Sequence, residues 1–107
     1  MKTHLVVLGG HLTRDELASA LARVSLHTTE RSGLVVDCRT MTGYDAEARA
    51  HFVEWNREHR KSIGGIAIVT DNRLWSMVIG AMSLASTQRM RAWSTVEDAR
   101  AWLDTLG

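Results

Sequence analysis

At 107 residues, with 45% hydrophobic and 23% charged side chains, the chain has the size and composition of one soluble globular domain, residues 1–107, and is too short for two. Its formal charge of +1 excludes the clearly basic balance by which nucleic-acid binders are recognised. A single cysteine cannot form an internal disulfide, so nothing points to secretion.

Met1 to His4 leads straight into Leu5-Val6-Val7-Leu8, a run too short for the core of a signal peptide. The longest uncharged stretch, Leu74 to Gln88, falls short of a membrane span, and a cytoplasmic protein is expected. Leu5 to Leu8 reads as a first buried strand, broken at once by Gly9-Gly10. Thr13 followed by Glu16 has the capping-box arrangement, and Leu17, Leu21 and Val24 then recur at helical spacing beside Ala20, which predicts a helix over Arg14 to Leu26. A polar connection, His27 to Ser32, closes at Gly33. Leu34-Val35-Val36 runs without alternation, as a strand covered on both faces does, and ends at Asp37 or Cys38.

After a loop expected over Arg39 to Tyr44, the span Asp45 to Lys61 carries Ala48, Phe52 and Trp55 on one helical stripe. Gly64-Gly65 ends that helix, and Ile66 to Val69 is a third short buried strand. Asp71 or Asn72 then caps a helix from Arg73 to about Ser86, so apolar around its circumference that one sheet face cannot bury it all. Arg89 to Trp93 alternates like an edge strand whose Arg89 and Arg91 discourage strand addition. Ser94 with Glu97 repeats the capping box before a last helix marked by Val96, Ala99, Leu103 and Leu106. The order β-α-β-α-β-α-β-α predicts an α/β fold: a mostly parallel four-stranded sheet with helices packed against it.

Three local patterns accompany that order: Gly10-His11-Leu12-Thr13 leading into Asp15-Glu16-Leu17; Val35-Val36-Asp37 eight residues ahead of Asp45; and Ile66 to Val69 with the ending Glu97-Asp98-Ala99-Arg100-Ala101-Trp102-Leu103. Together they resemble the STAS-like superfamily, in particular the SpoIIAA-like branch of small bacterial proteins related to anti-sigma-factor antagonists. The resemblance implies strand order 2-1-3-4, with the first helix on one face and the second and third on the other. The topological switch would then lie between the first and third strands, and the loops Gly9 to Leu12, Arg39 to Tyr44 and Thr70 to Asn72 would share one rim. It also implies protein-interaction signalling. Signalling members carry a phosphorylatable serine after the aspartate at the start of the second helix; here Asp45 is followed by Ala46, which has no hydroxyl. Thr40, Thr42 and Tyr44 keep hydroxyls nearby, but the role does not transfer to them.

Several constellations invite chemistry, each with a plainer reading. Cys38-Arg39 resembles the start of a rhodanese loop, yet no later arginine completes an anion cradle, and a buried structural cysteine is the better account. Glu47, His51, Glu54 and Glu58 share a sector of the second helix, but no further ligand cluster follows, so a solvated face is expected and no metal or cofactor. His4, His11, His27 and His59 are scattered and suggest no site. Asp37 and Asp45 bracket the expected loop as a possible carboxylate pair, with a loop acceptor and a helix N-cap as the alternative. Trp75, Met77, Ile79 and Met82 form an apolar surplus that is either core, a homodimer or partner interface, or a pocket for a lipid or other hydrophobic ligand, the last suggested by the related CRAL-TRIO lipid-transfer fold.

The expectation is therefore a non-enzymatic, protein-binding STAS-like domain without the serine switch and without catalytic residues. Its partner-facing residues would be Arg39, Thr42, Tyr44, Asp45, Trp75 and Met82. A binding domain for a hydrophobic small molecule is the alternative, and a small enzyme using Asp37, Asp45 or Cys38 the more distant one.

Overall fold

The computed structural model describes residues 1–27 and 31–106, the side chains of residues 26 and 27 aside. Strands and helices alternate: β1 (Lys2–Leu12), α1 (Arg14–His27), β2 (Ser32–Tyr44), α2 (Ala46–Glu58), β3 (Ile63–Val69), α3 (Arg73–Ser86), β4 (Met90–Trp93) and α4 (Val96–Leu106). The polar connection expected over His27 to Ser32 falls mostly on residues 28–30, outside the described residues, as does the side chain of His27.

All strands are parallel, in the order β1-β2-β3-β4, not the expected 2-1-3-4. Burial accounts for the difference. β2 from Ser32 to Val36 and the whole of β3 are buried, as central strands must be, whereas in β1 Leu5 is 46% and Val7 65% exposed. The run Leu5 to Leu8 thus lies on an edge strand, where Val6 and Leu8 turn to the core and Leu5 and Val7 turn away. Because the chain lays its strands down in one direction, successive crossovers of one hand leave their helices on the same side. Accordingly α1, α2 and α3 all pack on one face, correcting the expected split between α1 and the other two. The main core there joins Leu17 and Leu21 of α1, Phe52 and Trp55 of α2, and Ile79 and Met82 of α3 to the sheet. With strands in consecutive order there is no topological switch point.

Among the described residues the other face is covered by α4 alone. Ala99 and Leu103 pack on Val35, Ala67 and Val69. Gly33 and Gly65, register partners on β2 and β3, form the floor beneath Leu103, whose methyl carbons would come within 3.1–3.2 Å of a Cβ at either position. α4 lies over β2 to β4 and leaves Leu5 and Val7 of β1 uncovered.

The caps are local and side-chain driven. Thr13 Oγ1 accepts from the Glu16 N–H at 3.2 Å, and Asn72 Oδ1 accepts from the Leu74 and Trp75 N–H groups at 2.9 and 3.3 Å. At α4 the cap is Thr95, which accepts from the Asp98 N–H at 3.1 Å, one residue later than the expected Ser94 and Glu97. The second helix ends at Glu58, short of the expected Lys61, with Trp55 O accepting from the His59 N–H at 3.0 Å.

Candidate functional site

The stretch Arg39 to Tyr44, expected as a loop, continues β2 past the end of β3. It pairs with Gly9–Leu12 as a two-stranded ribbon, with register shifts after Val7 and after Gly10. The shifts need small residues. A Cβ at Gly9 would stand 2.9 Å from Thr40 Oγ1, and Gly10 has φ +64°, in the left-handed region that glycine enters without cost. Beyond the sheet the ribbon leans toward α3, and the rings of Tyr44 and Trp75 meet edge to face at 5.9 Å.

Behind that contact is a wholly apolar cavity of about 80 Å³, lined among others by Val36, Cys38, Tyr44, Phe52, Trp75 and Met82. Cys38 is therefore enclosed. Burial, with a smaller contribution from the charge of Asp37, pushes its thiol up to about 12. Such a thiol stays protonated at neutral pH and meets neither the cationic environment nor the exposure a nucleophile needs.

The neighbouring carboxylates do not form a pair. Asp37 accepts from the Arg39 backbone N–H at 3.1 Å and from its guanidinium through Nε at 3.0 Å and Nη2 at 2.8 Å. The side-chain bonds to Arg39 hold the Asp37 carboxyl below its ordinary value, against a smaller opposing effect of burial. Asp45 occupies the N-cap position of α2, but its side chain makes no capping bond. Its Oδ1 lies 2.7 Å from His11 Nε2 instead. His11 was unremarkable in the sequence; the parallel pairing of β1 and β2 brings it over Gly43, where a Cβ would lie 3.0 Å from its Nδ1.

The six expected partner-facing residues are thus divided. Tyr44, Trp75 and Met82 gather at the cavity, Arg39 is engaged by Asp37 and is acted on by the charges of Asp71 and Glu97, Asp45 is engaged by His11, and Thr42 is exposed at the second register shift. On α2, Glu47, Glu54 and Glu58 are exposed, and Glu54 is 3.4 Å from Arg57. Among the described residues no group of His, Cys, Asp and Glu is placed to hold a metal ion.

The larger feature is α3. Its buried side chains are Ile79, Met82 and Ser86, yet Leu74, Met77 and Leu84 are 73%, 75% and 84% exposed. With exposed Ala81 they stand at intervals of three, four and three residues, a narrow second apolar stripe of the kind that meets another helix. No charged side chain interrupts the sequence from Leu74 to Gln88. The sequence puts the surplus on Trp75, Met77, Ile79 and Met82 of a helix largely apolar from Leu74 to Leu84; of these Ile79 and Met82 are buried, and it is Leu74 and Leu84 that join Met77 in water.

A protein-family model described as SpoIIAA-like matches residues 5–104. The chain belongs to the SpoIIAA-like family. A solved structure of an uncharacterised protein of the DUF3478 family from Shewanella loihica PV-4, described as having a SpoIIAA-like fold, superposes with a TM-score of 0.72. It covers 92% of this chain and 82% of its own at 17% identity, a likeness of fold. A search of curated proteins gave no match. In this SpoIIAA-like chain the position after Asp45 is Ala46, and among the described residues no helix is long and apolar enough to cross a membrane.

Proposed function

We propose that the chain is a single, cytoplasmic, non-enzymatic SpoIIAA-like binding domain that recognises a protein partner through α3, with the Tyr44–Trp75 contact at one end of the surface. It works without a serine switch at the start of α2. The observation that carries this reading is α3, uncharged after Arg73, which keeps a second apolar stripe in water although its first is already buried. Full burial of a large aliphatic side chain contributes about 1.5–3 kcal/mol, so covering Leu74, Met77 and Leu84 supplies on the order of 5 kcal/mol toward association. Taken alone that corresponds to a dissociation constant of about 0.2 mM before ordering costs, so contacts around the stripe, including the Tyr44–Trp75 end, supply the rest. A facing helix or an apolar groove has the matching shape. Family membership adds support, since SpoIIAA-like domains are in general interaction modules.

The test is capture from the native host followed by reconstitution. A partner recovered by the wild-type domain and then purified should lose at least tenfold in affinity for Met77→Glu/Leu84→Glu. Unchanged affinity of that variant would place the partner elsewhere and end the reading.

The apolar cavity favours a second reading, a site for a small hydrophobic ligand beside Trp75 and Met82. Its volume ranks it second. About 80 Å³ is half of the roughly 150 Å³ that accommodates benzene in an engineered apolar cavity, so a lipid chain would have to displace α3. Native mass spectrometry decides: a stoichiometric co-purifying ligand, lost on filling the cavity with Cys38→Met, would move this reading ahead of the first.

A further inference from the structure

We infer that the edge of β1, unpaired among the described residues, is a self-association surface, on which two copies of this chain pair antiparallel about Leu5 to make one continuous eight-stranded sheet. The two edges of the sheet are treated differently. β4 is four residues long and is flanked or occupied by Arg89 and Arg91, a common guard against strand addition. β1 has eleven residues and no charged side chain between Lys2 and Arg14. From Lys2 to Val7 its register with β2 is unbroken, so this stretch lacks the bulges that twist an edge away from a partner.

The ground beside the edge is open. A groove of about 250 Å³ runs along His4 to Val7 against Ala20, Arg23 and Val24 of α1. His4, one of its lining residues, keeps a buried Nε2 without a hydrogen-bond partner. The outward backbone groups of an edge strand are a ready template, and main-chain bonds supply the affinity in such pairings.

A second copy fits this edge by symmetry and charge. An axis through Leu5 sets Leu5 against Leu5 of the other copy, and Val7 against Thr3 at both ends, all on the face that α4 leaves bare. Lys2 falls opposite Leu8, so no like charges meet. The paired stretch is about 20 Å long at roughly 3.3 Å per residue. Alone it buries less than the ~800 Å² per partner of a tight complex, so a dissociation constant of about 10–500 μM is expected.

Sedimentation equilibrium from about 10 μM to about 1 mM tests this with wild type and four variants. Wild type should dimerise, and Leu5→Lys, at an already half-exposed site, should weaken the dimer at least tenfold while its circular dichroism and melting curve show it folded. Val7→Lys should weaken it as well, and Thr3→Glu/Val7→Lys, which sets each new carboxylate opposite a new ammonium group, should restore it to within about threefold of wild type. The α3 variant Met77→Glu/Leu84→Glu should dimerise like wild type, which separates this inference from the reading of α3. A monomer at ~1 mM, a dimer indifferent to Val7→Lys, a double β1 variant no better than Val7→Lys, or a dimer abolished by the α3 changes would each overturn it.

Discussion

Replacing Cys38 with valine should change how stability depends on alkaline pH, by an amount set by the burial of the thiol. In the unfolded chain the thiol ionises near its ordinary 9.0, whereas in the native cavity wall it is pushed up to about 12. Above pH 9 the unfolded state therefore releases a proton that the native state keeps, and by linkage stability falls as pH rises. The contribution is fully present below pH 9 and is lost progressively toward pH 12. At pH 8 the loss attributable to Cys38 is about 0.1 kcal/mol, and at pH 10 it is about 1.4 kcal/mol. Cys38→Val is close in volume and cannot ionise, so it leaves the packing nearly intact and removes this dependence. Urea denaturation of both proteins at pH 8 and pH 10 should show wild type losing about 1.4 kcal/mol more than the variant, with other titrating groups cancelling in the difference. Parallel losses would refute the reasoning, because they would mean that Cys38 is as ionisable in the folded protein as in the unfolded chain.

Other outcomes follow from the packing and the charges. Gly33→Ala, which crowds Leu103 alone, and Gly65→Ala, which meets Leu106 at 2.6 Å before Leu103 at 3.2 Å, should together cost about 1–3 kcal/mol, and Leu103→Ala should cost less in the Gly33→Ala background than in wild type; strict additivity in that double-mutant cycle would contradict the account of the glycine floor. Arg39→Gln should reduce stability most above the ordinary carboxylate pKa of 3.8, because Asp37, held below it, contributes stability that is present above that value and lost as pH falls through its folded pKa. Melting curves of wild type and Arg39→Gln should accordingly converge toward pH 2, and a gap independent of pH would argue against the ion pair as its source. Met77→Glu/Leu84→Glu should leave unfolding free energy within about 0.5 kcal/mol of wild type per site, since neither side chain is packed; a larger loss by chemical denaturation would place them in the core.

Much of this fold was legible because its signals were local. The unalternating runs Leu34 to Val36 and Ile66 to Val69 marked strands buried on both faces, and Thr13, Asn72 and the spaced leucines marked helix starts and faces. Strand order was not local. Leu5 to Leu8 looks as apolar as β2, and only the bare face left by α4 shows that Leu5 and Val7 belong to an edge. The ribbon of Arg39 to Tyr44 was missed because its polar side chains read as loop, while its backbone bonds go to β1 through two register shifts that no periodicity locates.

The site was legible in part for the same reason. The apolar excess of α3 can be read from composition, but which half of it faces water depends on the tilt of the helix against β4 and α2. Asp45 looked like a cap because of its position; its engagement by His11 depends on two strands meeting in register, 34 residues apart in the chain.

The central claim, that this SpoIIAA-like domain works by binding a protein through α3, is met most directly by photocross-linking in the native host. A photoreactive side chain at Met77 should yield a defined heterologous adduct that the same group at Glu47, on the charged face of α2, does not give. No adduct at Met77, or the same adduct from both positions, would contradict the claim.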